Sequence, residues 1–178
     1  MLVTVSNQQQ VSSLLADHGI NEQILHCRKC RLWQDAKRAV PGEGPLDAKL
    51  MLVGQNPGAE EDKVGRPFVG RAGKFLNKVL AANGINREEV FVTNIVKHLT
   101  PQNRVPSQDE IVACLPYLCA QMDLVKPKIV VLMGKVAWQT PKRENVLFVE
   151  TVHPSAAMRF TKMRRRFEED FAALAKRL

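Results

Sequence analysis

The sequence predicts a single-domain α/β protein in which helices cover a four-stranded parallel sheet. The first observation is that short apolar, β-branched runs recur four times, at about residues 49–53, 90–94, 128–133 and 146–152. The second is that segments with helical spacing separate the first three runs, an alternation typical of parallel sheets. The third is size: 178 residues with 45% apolar content can bury one core, and nothing in this length requires a second domain.

Three helices are predicted with the clearest boundaries. Residues 73–84 read GKFLNKVLAANG, and the final glycine marks the end of a helix. Residues 107–125 begin with Ser107 and Glu110, the spacing of a capping box. The last helix, over about 162–177, carries on one face the apolar side chains Phe167, Phe171 and Leu174.

The chain is basic, and its composition bears on partners and location. Lys and Arg total 26 against 18 acidic residues, for a formal net charge of +8. This excess favours a polyanionic partner such as nucleic acid. The opening MLVTVSNQQQ lacks the basic and apolar regions of a signal peptide, and no run approaches the roughly 18 apolar residues of a membrane span. We therefore expect a cytoplasmic monomer without a membrane partner.

Polar residues follow the predicted strands where each strand ends. GQNPG (54–58) follows the first strand, Asn94 ends the second, Gly134 follows the third and HPS (153–155) follows the fourth. Ligands of parallel α/β sheets bind at the carboxyl ends of the strands. Three of the four strand ends carry polar groups suited to chemistry, so these groups are predicted to converge in one site.

Cysteine spacing indicates a second kind of site. Cys27 and Cys30 stand three positions apart, a spacing at which two thiolates can bind one metal ion. In a reducing compartment four cysteines favour thiols or metal ligands over a disulfide framework. Two cysteines alone do not decide which metal is bound.

Several motifs together resemble the family 4 uracil-DNA glycosylases. That family carries a GE-x-PG turn, an ED-x-x-GRPFVGRAG stretch, a TN-x-VK-C segment and an HPS motif. The matching segments here are GQNPGAEEDKVGRPFVGRAG, VTNIVKH, NRVP and HPS. The resemblance runs from about Cys27 to Arg159. It implies a three-layer α/β/α sandwich and a base-excision-repair enzyme that flips uracil out of DNA, hydrolyses its N-glycosidic bond and leaves an abasic site.

The resemblance also implies the residues that recognise uracil. Phe68 would stack on the extruded base, a contact worth about 1 to 3 kcal/mol. The Asn94 amide would accept from uracil N3–H and donate to O4, the reverse of the pattern that cytosine requires. Gly54 belongs to the same pocket, and Glu61 would crowd the C5 edge and reject thymine. The ordinary alternatives are a core phenylalanine, a turn-capping asparagine and a solvated acidic turn.

Catalytic and DNA-contacting roles follow from the last motif. His153 would donate to uracil O2 as negative charge develops on the departing base. Ser155 belongs to the same motif, and Met158 with Arg159 is a candidate wedge for the gap left by the flipped nucleotide. Basic residues of the last helix are predicted to contact phosphates, with a solvated helix face as the alternative: Lys162, Arg164, Arg165 and Arg166.

The turn after the first strand departs from the family. Gln55 stands where the family has Glu, and an amide cannot act as a base. Asn56 is the candidate replacement, because related glycosylase families place an Asn before the turn proline, where its amide oxygen orients the attacking water. Asn before Pro also favours turns on its own. The missing carboxylate leaves a second functional hypothesis, a DNA-binding module of the same fold that is catalytically weak or inactive.

The cysteines depart from the family at one position. The family is similar in holding a four-iron four-sulfur cluster with four cysteines, whose third and fourth members correspond here to His98 and Cys114. The predicted ligands are therefore Cys27, Cys30, His98 and Cys114, with histidine serving as it does in Rieske centres. Cys119 lies five residues further along a helix and points about 140° away. Zinc in a Cys3His site is the alternative metal.

Overall fold

The computed structural model describes residues 19–178, so the first part of the chain, including MLVTVSNQQQ, lies outside the described residues. Four strands form one sheet in which every neighbouring pair is parallel, as the sequence predicts. Their order across the sheet is β2-β1-β3-β4. The strands are β1 (Leu50–Gly54), β2 (Val90–Asn94), β3 (Ile129–Met133) and β4 (Leu147–Thr151).

The predicted helices are confirmed to within about two residues at each end. Residues 19–25 are also helical, and 3₁₀ turns occur at Arg31–Gln34, Arg87–Glu89, Pro101–Asn103 and Ala137–Gln139. The helices that follow the first strand are α1 (Ala59–Val64), α2 (Arg71–Ala82), α3 (Gln108–Val125), α4 (Pro154–Arg159) and α5 (Thr161–Ala175).

Helix α3 covers one face of the sheet. Its start is fixed as the sequence predicts, because Glu110 accepts from the backbone N–H of Ser107 at 2.9 Å. Arg104 then donates to the same buried carboxylate at 2.6 and 2.8 Å. Below this cap, alternate residues of the central strands pack on α3: Met51, Val53, Val130 and Leu132 against Cys114, Leu118, Met122 and Val125.

Helices α2 and α5 cover the opposite face. The intervening strand residues, among them Leu50 and Leu52, point to this side because side chains alternate along a strand. The apolar stripe of α5 is buried as predicted, and the Phe167 and Phe171 rings lie 4.7 Å apart. The molecule is thus a three-layer α/β/α sandwich, which confirms the predicted fold class.

The strands end level with one another on one side of the sheet. Gly54 is paired with Asn94 at the ends of β1 and β2, and Met133 with Thr151 at the ends of β3 and β4. The segments that follow all four strands therefore start from one edge. Between residues 19 and 178, no helix is both long and apolar enough to cross a bilayer.

Candidate active site

Gly54, the last residue of β1, is the point where two predicted site residues meet. A Cβ atom built on Gly54 would lie 2.5 Å from Phe68 Cζ and would also collide with Asn94 Oδ1. Only glycine allows the ring and the amide to approach the strand this closely. The predicted convergence of the strand ends is confirmed for Gly54 and Asn94, which end β1 and β2 side by side.

Phe68 is held by its backbone as well as by packing. Its φ angle is 55°, in the left-handed region that a bulky residue rarely adopts. The Phe68 carbonyl lies directly against Gly73 in the first turns of α2, where no side chain would fit. The ring is 9% exposed and belongs to the core on the α2 side of the sheet. Phe68 is both a core residue and a wall of the site, so the two sequence-based alternatives are not exclusive.

Asn94 presents an unsatisfied hydrogen-bond acceptor beside that ring. The residue is 2% exposed, and its Oδ1 atom has no hydrogen-bond partner within residues 19–178. Leaving a buried polar atom unpaired costs about 1 to 3 kcal/mol. A ligand that donates an N–H group into this position would remove the cost, so the unpaired oxygen marks a binding position.

A buried lysine that sequence reasoning missed fixes the backbone of Asn94. Lys97 Nζ donates to Asn94 O at 2.7 Å, to Thr93 Oγ1 at 2.8 Å and to Gln121 Oε1 at 2.8 Å. The side chain is fully buried, and burial lowers the pKa of Lys97 to about 7. Through Gln121 the network ties the end of β2 to α3. The only signal in the sequence is a lone lysine inside the mostly apolar run IVKHL.

His153 lies across the site from Phe68, with 6.4 Å between ring centroids. Its Nδ1 accepts from the Ser155 backbone N–H at 3.2 Å and lies 2.7 Å from the Ser155 hydroxyl oxygen. An Nδ1 that accepts cannot carry the proton, so Nε2 is the protonated nitrogen. Burial lowers the pKa of His153 to about 4. The site therefore contains a neutral imidazole whose Nε2–H is available to donate.

The turn after β1 holds two linked amide side chains. Gln55 Nε2 donates to Asn56 Oδ1 at 2.9 Å. Asn56 Nδ2 in turn donates to Pro57 O at 2.9 Å and to Thr100 Oγ1 at 3.4 Å. Thr100, which the sequence reasoning missed, is fully buried and donates to Arg104 O at 2.7 Å. Asn56 is thereby oriented by a buried hydroxyl rather than by the turn alone.

Glu61 joins the turn to the loop that carries Phe68. Its Oε2 accepts from the Gly58 N–H at 3.1 Å, and its Oε1 accepts from the Gly70 N–H at 2.8 Å. The residue is 9% exposed, so it is not a solvated acidic side chain. Each carboxylate oxygen has a backbone partner that fixes its position.

The predicted DNA-contacting residues lie along α4 and α5. Met158 is half-buried whereas Arg159 is exposed. The Arg164 guanidinium stands 5.4 Å from the centre of the Phe75 ring, and Arg165 is paired with Glu169 at 2.8 Å. The charge of Arg165 is partly neutralised by its partner.

Two of the predicted metal ligands are in direct contact. The Cys114 thiol donates to the Cys30 sulfur, which lowers the pKa of Cys30 to about 6 and raises that of Cys114. Burial and the neighbouring Cys27 thiol raise the pKa of the Tyr117 hydroxyl, which donates to Gln23 O at 3.4 Å. All four cysteines are free thiols, and half-buried Cys119 takes part in neither of these contacts.

His98 lies near this group. It is 3% exposed, and its Nδ1 has no hydrogen-bond partner in the described part of the chain. It lines a cavity of about 390 Å³ together with Cys27, Arg28, Trp33, Lys37 and Arg38. Within residues 19–178, no three His, Cys, Asp or Glu side chains are close enough together to form a ready metal site. The donor set nevertheless fits a soft metal centre, because it combines three thiols with an unpaired buried imidazole nitrogen.

Comparison with known proteins identifies the family of this chain. A sequence profile of the uracil DNA glycosylase superfamily matches residues 41–176. The chain belongs to this superfamily. A type-4 uracil-DNA glycosylase of Sulfurisphaera tokodaii is 41% identical, over 85% of this chain and 80% of the relative. A type-4 enzyme of Pyrobaculum aerophilum is 37% identical, over 86% and 90%.

A more distant relative is the type-5 uracil-DNA glycosylase of Pyrobaculum aerophilum, at 32% identity over 63% of this chain and 56% of the relative. The superfamily match includes every residue described around Gly54 and extends through α4 and all of α5. Cys27 and Cys30 precede the matched residues. The resemblance seen in the sequence motifs is confirmed, and the type-4 relatives match this chain over a larger share than the type-5 one.

Proposed function

We propose that this glycosylase-superfamily chain excises uracil from DNA by hydrolysing the N-glycosidic bond, which leaves an abasic site. The observation that carries the proposal is the unpaired Asn94 oxygen, buried beside the Phe68 ring. Uracil supplies what this position lacks, because its N3–H can donate to Oδ1 while its flat ring stacks on phenylalanine. Cytosine presents an acceptor at N3 and would leave two acceptors facing each other.

His153 is the proposed electrostatic catalyst. Breaking the bond between base and sugar leaves negative charge on the uracil ring, including O2. A neutral Nε2–H held by the Ser155 contacts to Nδ1 can donate to that oxygen without changing its own charge. A fixed donor of this kind contributes on the order of 10²- to 10³-fold in rate.

The attacking water is proposed to be oriented at the Gln55–Asn56 pair. Gln55 donates its N–H to Asn56, so its own carbonyl oxygen Oε1 is available to accept from water. Asn56 Oδ1 keeps a second lone pair for the same purpose. Neither amide can remove a proton, so these side chains position the water and do not act as bases.

The remaining predicted residues have supporting roles in the proposal. Gly54 lets the Phe68 ring and the Asn94 amide lie against the end of β1, and Glu61 rejects thymine at the C5 edge or maintains the loop that carries Phe68. On α4 and α5, Met158 with Arg159 fills the gap left by the flipped nucleotide, and Ser155, Arg164 and Arg165 hold the DNA backbone.

We also propose that Cys27, Cys30, Cys114 and His98 bind a four-iron four-sulfur cluster, with zinc as the alternative. Support comes from the Cys30–Cys114 contact and from the unpaired His98 nitrogen. Burial lowers the pKa of His98, which favours the neutral ring that a metal ligand requires. Such a group would act structurally, by linking the segment around Cys27 to α3.

Release of free uracil from a synthetic oligonucleotide tests the function. The protein is incubated with DNA containing one deoxyuridine, free base is measured by chromatography, and abasic sites are detected as strand breaks after hot alkali. Matched oligonucleotides with cytosine or thymine serve as controls. Free uracil in the first reaction only is the expected result, and no free base from any of them would contradict the activity.

The replacement of the family carboxylate by Gln55 favours one second candidate, a module that recognises uracil in DNA without turnover. The two functions separate in a single experiment. Slower gel migration of uracil-containing DNA without any release of base would indicate the binding module. Release of uracil by the parent protein, together with no release by the Asn94→Ala variant, would indicate the enzyme.

A further inference from the structure

Glu110, at the start of α3, is a buried carboxylate with more partners than a helix cap requires. The capping box uses one backbone contact to this side chain, from the Ser107 N–H at 2.9 Å. Arg104 donates to both carboxylate oxygens, and Arg31 Nε donates to Oε1 at 3.3 Å. The hydrogen bonds from Arg104 are the main cause that lowers the pKa of Glu110 to about 2. The charged carboxylate therefore holds the Arg104 side chain in a fixed place.

Arg104 joins this carboxylate to the loop that follows β2. Its guanidinium makes the paired contact that gives arginine and carboxylate a defined mutual geometry. The Arg104 carbonyl accepts from Thr100 Oγ1 at 2.7 Å, and the Arg104 N–H donates to Pro101 O at 3.1 Å. Fixing the side chain of Arg104 thus also fixes the backbone carbonyl to which the Thr100 hydroxyl is bonded.

The loop between Thr100 and Arg104 has a backbone that requires an anchor. Gln102 and Asn103 have φ angles of 56° and 55°, both in the left-handed region. Two successive residues other than glycine keep this conformation only where surrounding contacts impose it. The ion pair between Arg104 and Glu110 ties the end of this loop to α3.

The Thr100 hydroxyl links this loop to the turn after β1. Its one proton is donated to Arg104 O, so it presents only lone pairs to Asn56. Asn56 Nδ2 lies 3.4 Å from Thr100 Oγ1 and 2.9 Å from Pro57 O. Because both neighbours are acceptors, Asn56 turns its NH₂ group toward them and its oxygen toward Gln55. The orientation of the Asn56 amide thus depends on where the Thr100 hydroxyl lies.

We propose that Glu110 and Arg104 are positioning residues for base excision, acting through the Thr100 hydroxyl to keep the Asn56 oxygen directed at the attacking water. This role rests on the proposed function, since a held water is needed only if the chain hydrolyses the N-glycosidic bond. Glu110 then has two tasks, because the carboxylate that caps α3 also fixes the loop beside the site.

The first test removes the link between Arg104 and Glu110. The maximal single-turnover rate on uracil-containing DNA is measured at saturating protein, together with the protein concentration that gives half of it. Arg104→Met keeps a long side chain but removes both donors to Glu110, so the maximal rate should fall on the order of 10-fold, the kinetic value of one lost hydrogen bond. A guanidinium that only contacted DNA would instead raise the half-saturating concentration and leave the maximal rate unchanged.

The second test asks whether the effect passes through Thr100. Thr100→Val removes the hydroxyl and should give a similar loss, whereas Thr100→Ser keeps the hydroxyl and should restore the rate. Because the two changes interrupt one chain of contacts, the Arg104→Met, Thr100→Val double variant should be no slower than the slower single variant. In an Asn56→Ala background, neither change should lower the rate further.

Thr140→Val is the matched control for a general loss of stability. Thr140 is buried, and its hydroxyl also donates to a backbone carbonyl at 2.7 Å, that of Ala137. Both valine variants should unfold at lower urea concentration, but only Thr100→Val should excise uracil more slowly.

Several outcomes would overturn the positioning role of Arg104 and Glu110. These are a parent rate in Arg104→Met, multiplied losses in the double variant, no rescue by Thr100→Ser, or an equal rate loss in Thr140→Val. Absence of excision by the parent protein would instead overturn the proposed function.

Discussion

Gln55 donates from Nε2 to the side-chain oxygen of Asn56 across 2.9 Å, so the two amides at the end of β1 act as one hydrogen-bonded unit. The Asn56 side chain is also held by the Thr100 hydroxyl, whereas within the described residues the Gln55 side chain has Asn56 as its one hydrogen-bond partner. Of the two, Asn56 is the more firmly positioned. This asymmetry gives the two amides different expected contributions to orienting water.

Asn56→Ala should lower the single-turnover rate of uracil excision far more than Gln55→Ala does. Gln55→Glu should be neutral or faster. A carboxylate about 5 Å from the developing sugar cation, at an effective dielectric of about 20, contributes roughly 3 kcal/mol, or about a hundredfold in rate. Rapid-quench assays measure the rate, and circular dichroism confirms folding. Excision at the parent rate by Asn56→Ala would reduce Asn56 to a turn residue.

His153 gives the activity a distinctive pH dependence. Because its pKa is about 4 in the folded protein, the neutral donor persists well below the ordinary histidine pKa of about 6.5. The single-turnover rate should therefore show no loss attributable to His153 between about pH 8 and pH 5. A His153→Gln variant should be slower by on the order of 10²-fold. If the rate of the parent protein fell with a midpoint near pH 6.5 and that of His153→Gln did not, His153 could not be a neutral donor over this range.

The lowered pKa of His153 also makes the free energy of unfolding depend on pH. The folded pKa of His153 lies below the unfolded one, so the unfolded chain binds more protons between about pH 6.5 and pH 4. The contribution to the free energy of unfolding is complete above pH 6.5 and decreases as the pH falls through this window. Urea titrations of the parent and His153→Gln proteins should diverge above pH 6.5 and converge toward pH 4.

The colour of the purified protein distinguishes the proposed metal ligands from Cys119, which is not a proposed ligand. Cys27→Ser and Cys30→Ser proteins, purified anaerobically, should be colourless and poorly soluble, while Cys119→Ser should keep the yellow-brown absorbance of an iron–sulfur protein. His98→Cys should also keep it, because it restores the family pattern. Metal analysis distinguishes iron from zinc. Loss of iron in Cys119→Ser with retention in His98→Ala would reverse the ligand assignment.

Basic side chains on α5 should contribute unequally to DNA binding. Each phosphate neutralised on duplex DNA adds about −0.9 to the slope of log affinity against log salt. Lys162→Ala should flatten the slope by more than Arg165→Ala, because Arg165 is paired with Glu169 at 2.8 Å. Fluorescence anisotropy on undamaged duplex at several salt concentrations measures both slopes. Equal changes would mean that the ion pair opens when DNA binds.

Glu61→Gln separates two roles for one carboxylate. If Glu61 mainly holds the loop, the variant loses one of two backbone contacts and uracil excision falls, because Phe68 is less well positioned. If it mainly excludes the thymine methyl group, uracil excision persists and free thymine appears from a thymine-containing oligonucleotide. We expect the first result, since both carboxylate oxygens already have backbone partners.

Much of this architecture could be predicted from the sequence because it depends on periodicity and on strand ends. The β-branched runs gave β1 to β4 within one or two residues, and the stripe of Phe167, Phe171 and Leu174 gave the buried face of α5. Parallel strands place their carboxyl ends together, so the meeting of Gly54 and Asn94 followed, whereas the place of Phe68 beside them came from the family resemblance. These features are set by short-range patterns that a single sequence contains.

The contacts that hold the site in place could not be predicted in the same way. Lys97 and Gln121 are 24 residues apart, and Asn56 and Thr100 are 44 apart. No periodicity links such pairs, because side-chain hydrogen bonds across layers depend on how the layers finally pack. The fixed tautomer of His153 has a local cause, the Ser155 N–H, but it requires the turn geometry to be known.

One consequence of the Phe68 conformation concerns how this pocket can change during evolution. The carbonyl of Phe68 lies against Gly73, a buried residue of α2. The Phe68 ring keeps its position because residue 73 has no side-chain methyl group to push the Phe68 backbone away. A Gly73→Ala change would shift the ring without replacing it. New base preferences could thus arise by moving the backbone from beneath, while every side chain that contacts the base stays the same.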